Sequence, residues 1–182
     1  MTLSPQTLSY NDRRLVADWA AACAERVLSL FEVECPEDSR PRDAIARTRA
    51  FARGELDTAS QIRRRFGGGS TSRDARSPAA VAAARSAGQS SAVCHMGAHA
   101  LGAAAFAAKA MSIANPDKPL AADEEISWQM DQMTSEVRNA LSSLPPVGEH
   151  VSGPLGPRLL ARGQIGEIIR KLQAAIAVAK KS

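Results

Sequence analysis

Two histidines lie four residues apart in a stretch that is otherwise almost entirely small or apolar. The stretch reads SAVCHMGAHALGAAAFAAKA over residues 91–110, and it holds His95 and His99. Residues four apart in a helix share one face, so the two imidazoles could bind one cation, move a proton or contact a ligand. The same spacing also suits a structural pair whose ring nitrogens are hydrogen-bonded inside a core. The stretch lacks the glutamate of an HExxH zinc motif, and we predict neither a metal nor a cofactor.

The residues that could assist the histidine pair lie nearer the start of the chain. Buried imidazoles need partners, and we predict that acidic or hydroxyl side chains of residues 11–55 supply them. If the protein is an enzyme, we expect Asp18 to act with both histidines, although the sequence marks no complete catalytic set. If it is a binding protein, the candidate contact residues are His95, His99, Trp19, Arg42 and Asp43.

Arginines cluster in two places along the chain. The first cluster is RPRDAIARTRAFARGE, which is either a surface for an anion or acidic partner or a solvated helix face with ion pairs. We favour ion pairs for most of it and single out Arg42 and Asp43, which lie at the start of a predicted helix. The second cluster surrounds a triglycine near residues 67–77, where the GGGS sequence lacks the GK[ST] of a phosphate-binding loop. We predict a mobile surface loop there.

The composition favours helices over sheets. The chain has 182 residues, of which 45% are hydrophobic and only 4% aromatic, and alanine supplies much of the hydrophobic fraction. Alanine is the best helix former, and neither β-branched runs nor a clear period of two is present. We therefore predict an all-α protein, a compact multi-helix bundle around a central Ala/Gly-rich helix.

Charge and cysteine content narrow the class of protein. A net charge of +4 is too mild for a dedicated nucleic-acid binder. The three cysteines are too few and too scattered for a disulfide framework or a CxxC metal site. The first residues do not read as a charged segment followed by an apolar one, so we expect no signal peptide. The sequence also has no stretch of about 18–20 strongly apolar residues. We expect a soluble cytoplasmic protein that acts on neither membranes nor nucleic acids.

Caps, prolines and apolar periodicity divide the chain into segments. We predict a flexible tail over residues 1–10, a helical domain over 11–144, and a Pro/Gly linker with an amphipathic C-terminal helix over 145–182. The expected helices cover about 12–31, 39–54, 57–66, 124–144 and 164–180. Between the third and fourth of these, a helix starts at Ser77 and can continue, with a bend near Gly88, into a central helix over 90–114. The last helix carries five large aliphatic residues, which we expect to pack on their own bundle or on a second subunit in a homodimer.

Five segments of the chain carry a resemblance to a known family. They are DRRLVADWAAACAERVLSLFE, RPRDAIARTRAFARGE, AAARSAG, HMGAHALGAAAFAAKA and, more weakly, SWQMDQMTSEVRNAL, and together they span most of residues 11–144. In these segments the sequence resembles the Imm-5-like putative immunity proteins, a bacterial helical family. The resemblance implies an all-helical fold and a role in toxin neutralisation. The family often has a histidine directly after the AARxAG stretch, where this chain has Gln89, so the resemblance implies that a third imidazole is missing here.

Two classes of function fit these observations. The first is a non-enzymatic binding protein that neutralises a toxin, with a protein as its partner. The second is a small-molecule-binding protein or enzyme that uses a pocket around His95 and His99. An open pocket in which polar side chains converge on the histidines favours the second class, and a closed helix junction favours the first.

Overall fold

The structure is a computed structural model, which describes residues 4–59 and 74–179. Eight helices lie wholly within those ranges and no β-strand occurs in them, which confirms the prediction of an all-α protein. In chain order the helices are α1 (Tyr10–Val27), α2 (Ser29–Glu32), α3 (Arg40–Arg53), α4 (Pro78–Ala92), α5 (His99–Ala114), α6 (Ala121–Asp131), α7 (Ser135–Ser142) and α8 (Gly163–Ala179).

Helix α5 lies at the centre of the bundle and packs against α1, α4, α6 and α8. Leu101 and Ala104 are both 0% exposed, and most other buried residues of α5 are alanines. Small side chains let neighbouring helices approach closely, and Ser86 of α4 donates its hydroxyl to the carbonyl oxygen of Ala103 at 2.7 Å. None of the described helices, α5 included, is long and apolar enough to cross a membrane.

The central helix is shorter than predicted, because the chain turns between α4 and α5. Helix α4 ends at Ala92 and α5 begins at His99, so the prediction of one continuous helix over 90–114 is wrong. The break moves His95 out of the helix and into a turn over residues 93–98.

A short N-terminal segment supplies the hydrogen bonds of this turn. We call residues 4–9 the N-terminal strap. The backbone N–H groups of Gly97 and Ala98 donate to the carbonyl oxygens of Thr7 and Gln6, each at 3.0 Å. The first N–H groups of a helix have no acceptor within the helix, so the strap provides acceptors at the start of α5.

The strap also corrects, for residues 4–9, our prediction of a flexible tail over residues 1–10. Gln6 is 0% exposed and its side chain bonds to the C-terminal linker, accepting from the N–H of Leu155 at 2.8 Å. Leu8 packs directly on Gly97, where an added Cβ would lie 2.4 Å from Leu8 Cδ1. Leu8 adopts a φ of 61°, a left-handed conformation that is strained for a bulky residue.

We expect Gln6→Ala to lower the free energy of unfolding by about 1–3 kcal/mol, because it leaves a buried N–H of Leu155 and the carbonyl oxygen of Ser152 without the Gln6 amide. Chemical denaturation followed by circular dichroism measures the change. Gln132→Ala, at an exposed position, is the matched control and should change stability by less than about 0.5 kcal/mol. Equal losses in the two variants would contradict the role of the strap.

The local signals for helix ends hold at α3 and α4. Ser77 accepts a backbone N–H of the first turn of α4 at 3.1 Å, and Gly54 ends α3 with a left-handed φ of 80°. Helix α1 is capped by Ser9. The Ser9 hydroxyl accepts the N–H of Asp12 at 3.1 Å, so the helix begins earlier than predicted.

The predicted helix over residues 124–144 is two helices. Helix α6 ends at Asp131 and α7 begins at Ser135. Thr134 causes the break, because its hydroxyl accepts the N–H of Val137 at 3.3 Å and so caps a new helix. The apolar period continues across the break, which is why the sequence predicted one helix.

The C-terminal segment folds back on its own bundle. Helix α8 packs against α5, α6 and α7 and buries the predicted aliphatic face, which consists of Ile165, Ile168, Ile169, Leu172 and Ile176. In the preceding linker Leu155 is buried and accepts the N–H of Gly148 at 2.7 Å. We predicted that this helix packs either on its own bundle or on a second subunit. The structure shows packing on its own bundle, and the homodimer stays a prediction.

The predicted helix over 57–66 and the predicted loop over 67–77 lie mostly outside the described residues. Thr58, at the edge of the described range, donates its hydroxyl to the carbonyl oxygen of Cys94 at 3.2 Å. Thr58 therefore lies beside the turn that carries His95.

Candidate functional site

His95 and His99 lie together although they do not share a helix. Their ring centroids are 5.3 Å apart and the ring planes are inclined by 55°. His95 lies in the turn and His99 is the first residue of α5, and both side chains are half-buried. The proximity therefore comes from the turn rather than from the shared helical face that the spacing predicted.

His99 takes a hydrogen-bond partner from α4. Its Nδ1 atom lies 2.7 Å from the Oε1 atom of Gln89. An amide oxygen can only accept, so Nδ1 is the donor when it is paired with this oxygen. The partner that the described residues show for His99 is an amide of α4, whereas we predicted an acidic or hydroxyl side chain from residues 11–55.

A glycine makes room for this amide between α4 and α5. A Cβ atom at Gly102 would lie 2.5 Å from Gln89 Oε1 and 2.8 Å from Leu160 Cδ1. A side chain at this position would push the amide away from His99. Position 89 is also where the family resemblance implied a histidine, so that position belongs to the histidine cluster, which we define as His95, His99 and Gln89.

The two α1 residues predicted for the site lie elsewhere. Asp18 is exposed, and its charge acts on Arg53 of α3. Within the described residues, Asp18 makes no hydrogen bond or ion pair with either histidine. Trp19 is only 3% exposed and donates its indole N–H to the carbonyl oxygen of Gln129 at 2.8 Å, so it packs in the core rather than on a binding surface. The described residues also contain no group of three or more His, Cys, Asp or Glu side chains that could hold a metal ion.

Three of the five arginines of α3 form bidentate ion pairs on the surface. The pairs are Arg42–Glu32, Arg49–Glu25 and Arg53–Glu55, with N···O distances from 2.6 to 3.0 Å. Asp43 is exposed and accepts a hydrogen bond from the hydroxyl of Ser39 at 2.8 Å. For these three arginines the structure therefore shows ion pairs, as we expected for most of the cluster.

Three of these arginines also border a groove of about 230 Å³ between α1 and α3. We call it the arginine groove, and its lining residues are Glu25, Leu28, Arg42, Ile45, Ala46, Arg49 and Arg53. Leu28 and Ile45 are almost fully buried and form its apolar floor.

A second polar cluster connects α1 to α6 in the interior. Arg26 Nε donates to Glu125 Oε2 at 2.7 Å, and the Arg26 guanidinium lies 4.2 Å from the ring centroid of Trp128. Gln129 Nε2 donates both to Glu125 Oε1 at 3.2 Å and to the carbonyl oxygen of Ala104 at 3.1 Å. Because Glu125 is 1% exposed, the hydrogen bonds from Arg26 and Gln129 must offset the desolvation cost of a buried carboxylate.

Burial sets the protonation of the groups in this cluster. It raises the pKa of Glu125 above its ordinary value, although hydrogen bonds from Arg26 and Gln129 act in the opposite direction. Burial and the nearby Glu125 charge raise the pKa of Cys23 well above its usual range. Cys23 is therefore a protonated core thiol rather than a nucleophile.

Sequence reasoning missed Gln6 and the Arg26–Glu125 pair. Glu125 and Gln129 are four residues apart next to the apolar stripe of α6, and a glutamate so close to a core face needs a partner. That signal was available in the sequence. Gln6 had none, because its partner Ser152 lies 146 residues further along the chain.

Together these features define an all-helical bundle with an Ala/Gly-rich centre, a half-buried histidine cluster and paired arginines on its surface. The chain belongs to the family described as Imm-5 like putative immunity protein, whose model matches residues 6–136, well over half of the chain. The resemblance stated from the sequence segments is thus confirmed. Helix α8 lies beyond the matched range. Neither a curated protein nor a solved structure matches the chain.

Proposed function

We propose that the protein is a non-enzymatic binding protein that neutralises a toxin protein by forming a complex with it. The observation that carries this proposal is membership of the immunity family over residues 6–136. The matched range includes both the histidine cluster and the arginine groove, so both features lie in the part of the chain that defines the family.

The geometry of the histidine cluster supports a structural use of its imidazoles. Nδ1 of His99 is bonded to the Gln89 amide, which lies against Gly102. This hydrogen bond fixes the ring orientation and joins α4 to α5. This is the arrangement expected of a helix junction, which favours the binding protein over the enzyme.

The proposal is tested by co-expression in a bacterial host. The chain is produced together with each toxin domain encoded in its source genome, and growth is measured against an empty vector and an inactive variant of the same toxin. We expect growth to be restored for one toxin and not for unrelated ones. If growth is restored for none of them, toxin neutralisation is contradicted.

A small-molecule-binding or enzymatic function is the second candidate. The observation that favours it is the closeness of the two half-buried rings, whose centroids lie 5.3 Å apart. Co-expression of His95→Ala and His99→Ala variants separates the candidates when the melting temperature is measured alongside. Loss of neutralisation at an unchanged melting temperature supports direct action of the histidines, and retained neutralisation supports a binding surface elsewhere.

A further inference from the structure

We propose that the N-terminal strap is a latch that couples the turn carrying His95 to the C-terminal linker, which joins α7 to α8, so that the two segments are held or released together. This inference goes beyond toxin neutralisation. It concerns how a segment outside the family match controls the shape of the histidine cluster, which lies inside that match.

Gln6 bonds to both segments at once through different groups. Its backbone carbonyl oxygen accepts the N–H of Ala98 in the turn at 3.0 Å. Its side-chain amide faces the linker, where Nε2 donates to the carbonyl oxygen of Ser152 and Oε1 accepts the N–H of Leu155. Gln6 is 0% exposed, so water does not compete for these hydrogen bonds. One residue of the strap therefore holds the turn with its main chain and the linker with its side chain.

The strap holds the turn in a strained conformation. In the part of the chain that the structure describes, Leu8 is the only non-glycine residue with a left-handed φ, and its side chain packs on Gly97 of the turn. Strain of this kind persists only where the surroundings impose it, and it is common in segments that switch between two states. Undocking of the strap relieves the strain of Leu8 while it breaks the contacts of Gln6. The docked and released states therefore differ in free energy by less than the contacts alone would give.

The turn sets the distance between the two imidazoles. His95 lies in the turn and His99 begins α5, and this arrangement brings the ring centroids to 5.3 Å. When the strap is released, the N–H groups of Gly97 and Ala98 lose the acceptors that the strap provides, and the backbone between the histidines changes its path. A molecule that binds the linker and displaces Gln6 therefore alters the histidine pair, and by reciprocity a change at the histidines alters the linker.

Two glycines of the linker provide a matched pair of variants. Gly153 and Gly148 both have a left-handed φ, of 81° and 91°, so alanine imposes the same kind of backbone strain at either position. A Cβ atom at Gly153 would lie 2.7 Å from both polar atoms of the Gln6 amide and would displace it. A Cβ atom at Gly148 would make an ordinary contact with Ala161 at 3.7 Å. Gly153→Ala therefore opens the latch, and Gly148→Ala is its control.

Amide hydrogen exchange of the unaltered full chain, measured by NMR over a range of denaturant concentrations, is the first test. We expect the N–H groups of Gly97, Ala98 and Leu155 to share one opening equilibrium, which occurs more often than opening at Ala107 in the middle of α5. Exchange of all three at the rate of Ala107 would show that the strap opens only when the whole domain unfolds. Unequal opening of the turn and the linker would show that they are not coupled. Either result would overturn the proposal.

The two glycine variants are the second test. We expect Gly153→Ala to speed exchange of the two strap-bonded N–H groups of the turn at least about tenfold, and Gly148→Ala to change it by less than about threefold. The imidazole resonances of both histidines should shift in Gly153→Ala alone, because only this variant displaces the Gln6 amide. Equal effects of the two substitutions would show that strain anywhere in the linker is sufficient, and the latch would be wrong.

Gln6→Ala provides a second route to the released state if Gly153→Ala does not fold. The N–H groups of the turn keep their acceptors in this variant, because those acceptors are backbone oxygens. Faster exchange in the turn must then be transmitted by the strap, and we expect it to match the faster exchange at Leu155 within about threefold. If the changes in exchange and in chemical shift are confined to the linker, the strap does not couple the two segments and the proposal is overturned.

Discussion

Deleting residues 150–182 is expected to remove the native fold at physiological temperature. The deletion removes α8, whose five buried aliphatic residues pack against α5, α6 and α7. Burying one such side chain is worth about 1.5–3 kcal/mol, and whole domains are stable by only about 5–15 kcal/mol. The surface that α8 covers would also become exposed and promote aggregation. Thermal unfolding and light scattering after gel filtration measure both effects.

A pair of single substitutions in α8 provides the control for this deletion. Ile169→Ala, at a position that is 0% exposed, should lower the free energy of unfolding by about 2–5 kcal/mol. Val178→Ala, at a position on the same helix that is 67% exposed, should change it by less than about 0.5 kcal/mol. A deletion variant that stays soluble and melts at the same temperature as the full chain would show that α8 does not stabilise the bundle.

Replacing Glu125 by Ala is expected to lower the free energy of unfolding by about 2–4 kcal/mol. The substitution leaves Arg26 without its carboxylate partner and opens a cavity beside Gln129, which loses one of its two acceptors. The estimate lies below that for a fully buried pair because the Arg26 side chain is 38% exposed and water can solvate it. Glu124→Ala, at the exposed neighbouring position, is the control, and equal losses in the two variants would contradict the account.

The same carboxylate gives a pH dependence of defined sign. Burial raises the pKa of Glu125 in the folded chain, so the folded state favours its protonated form more than the unfolded state does. The stability that this group contributes is fully present below its unfolded pKa and is lost as the pH rises through its folded pKa. Relative to Glu125→Gln, which cannot ionise, the unaltered chain should therefore gain stability as the pH falls from neutral toward the ordinary pKa range of a carboxyl group. Taking the difference between the two proteins cancels carboxylates that act in the opposite direction, such as Glu34 and Glu55, whose pKa values are lowered by hydrogen bonds. A constant or shrinking difference over that range would show that burial does not control Glu125.

The parts of the fold that follow from neighbouring residues could be predicted from the sequence. Ser77 followed by proline starts α4, and Gly54 ends α3, because a cap and a left-handed glycine act within one turn. The aliphatic face of α8 is likewise visible as a period in the sequence. The turn before α5 could not be predicted, because its acceptors are the carbonyl oxygens of Gln6 and Thr7, far away in the chain.

The residues of the candidate site could be predicted from the sequence, but most of their contacts could not. The spacing of His95 and His99 indicated the histidine pair, and the family resemblance pointed to position 89. The hydrogen bond from His99 to Gln89 depends on how closely α4 approaches α5, which the glycine at position 102 permits but the sequence does not specify. The partners of Arg42 and Arg49 lie on other helices, so the sequence predicted ion pairing but not the groove that the pairs border.

The most direct test of toxin neutralisation by binding is a titration of the purified toxin, once co-expression has named it, with the full chain. Residual toxin activity is measured at each ratio, and the toxin is then separated from the complex under denaturing conditions, refolded and assayed again. The account predicts that inhibition is complete at an equimolar ratio and that the recovered toxin is covalently unchanged and fully active. Complete inhibition at far below an equimolar amount, with a covalently altered toxin, would show that the protein acts as an enzyme and would contradict the account.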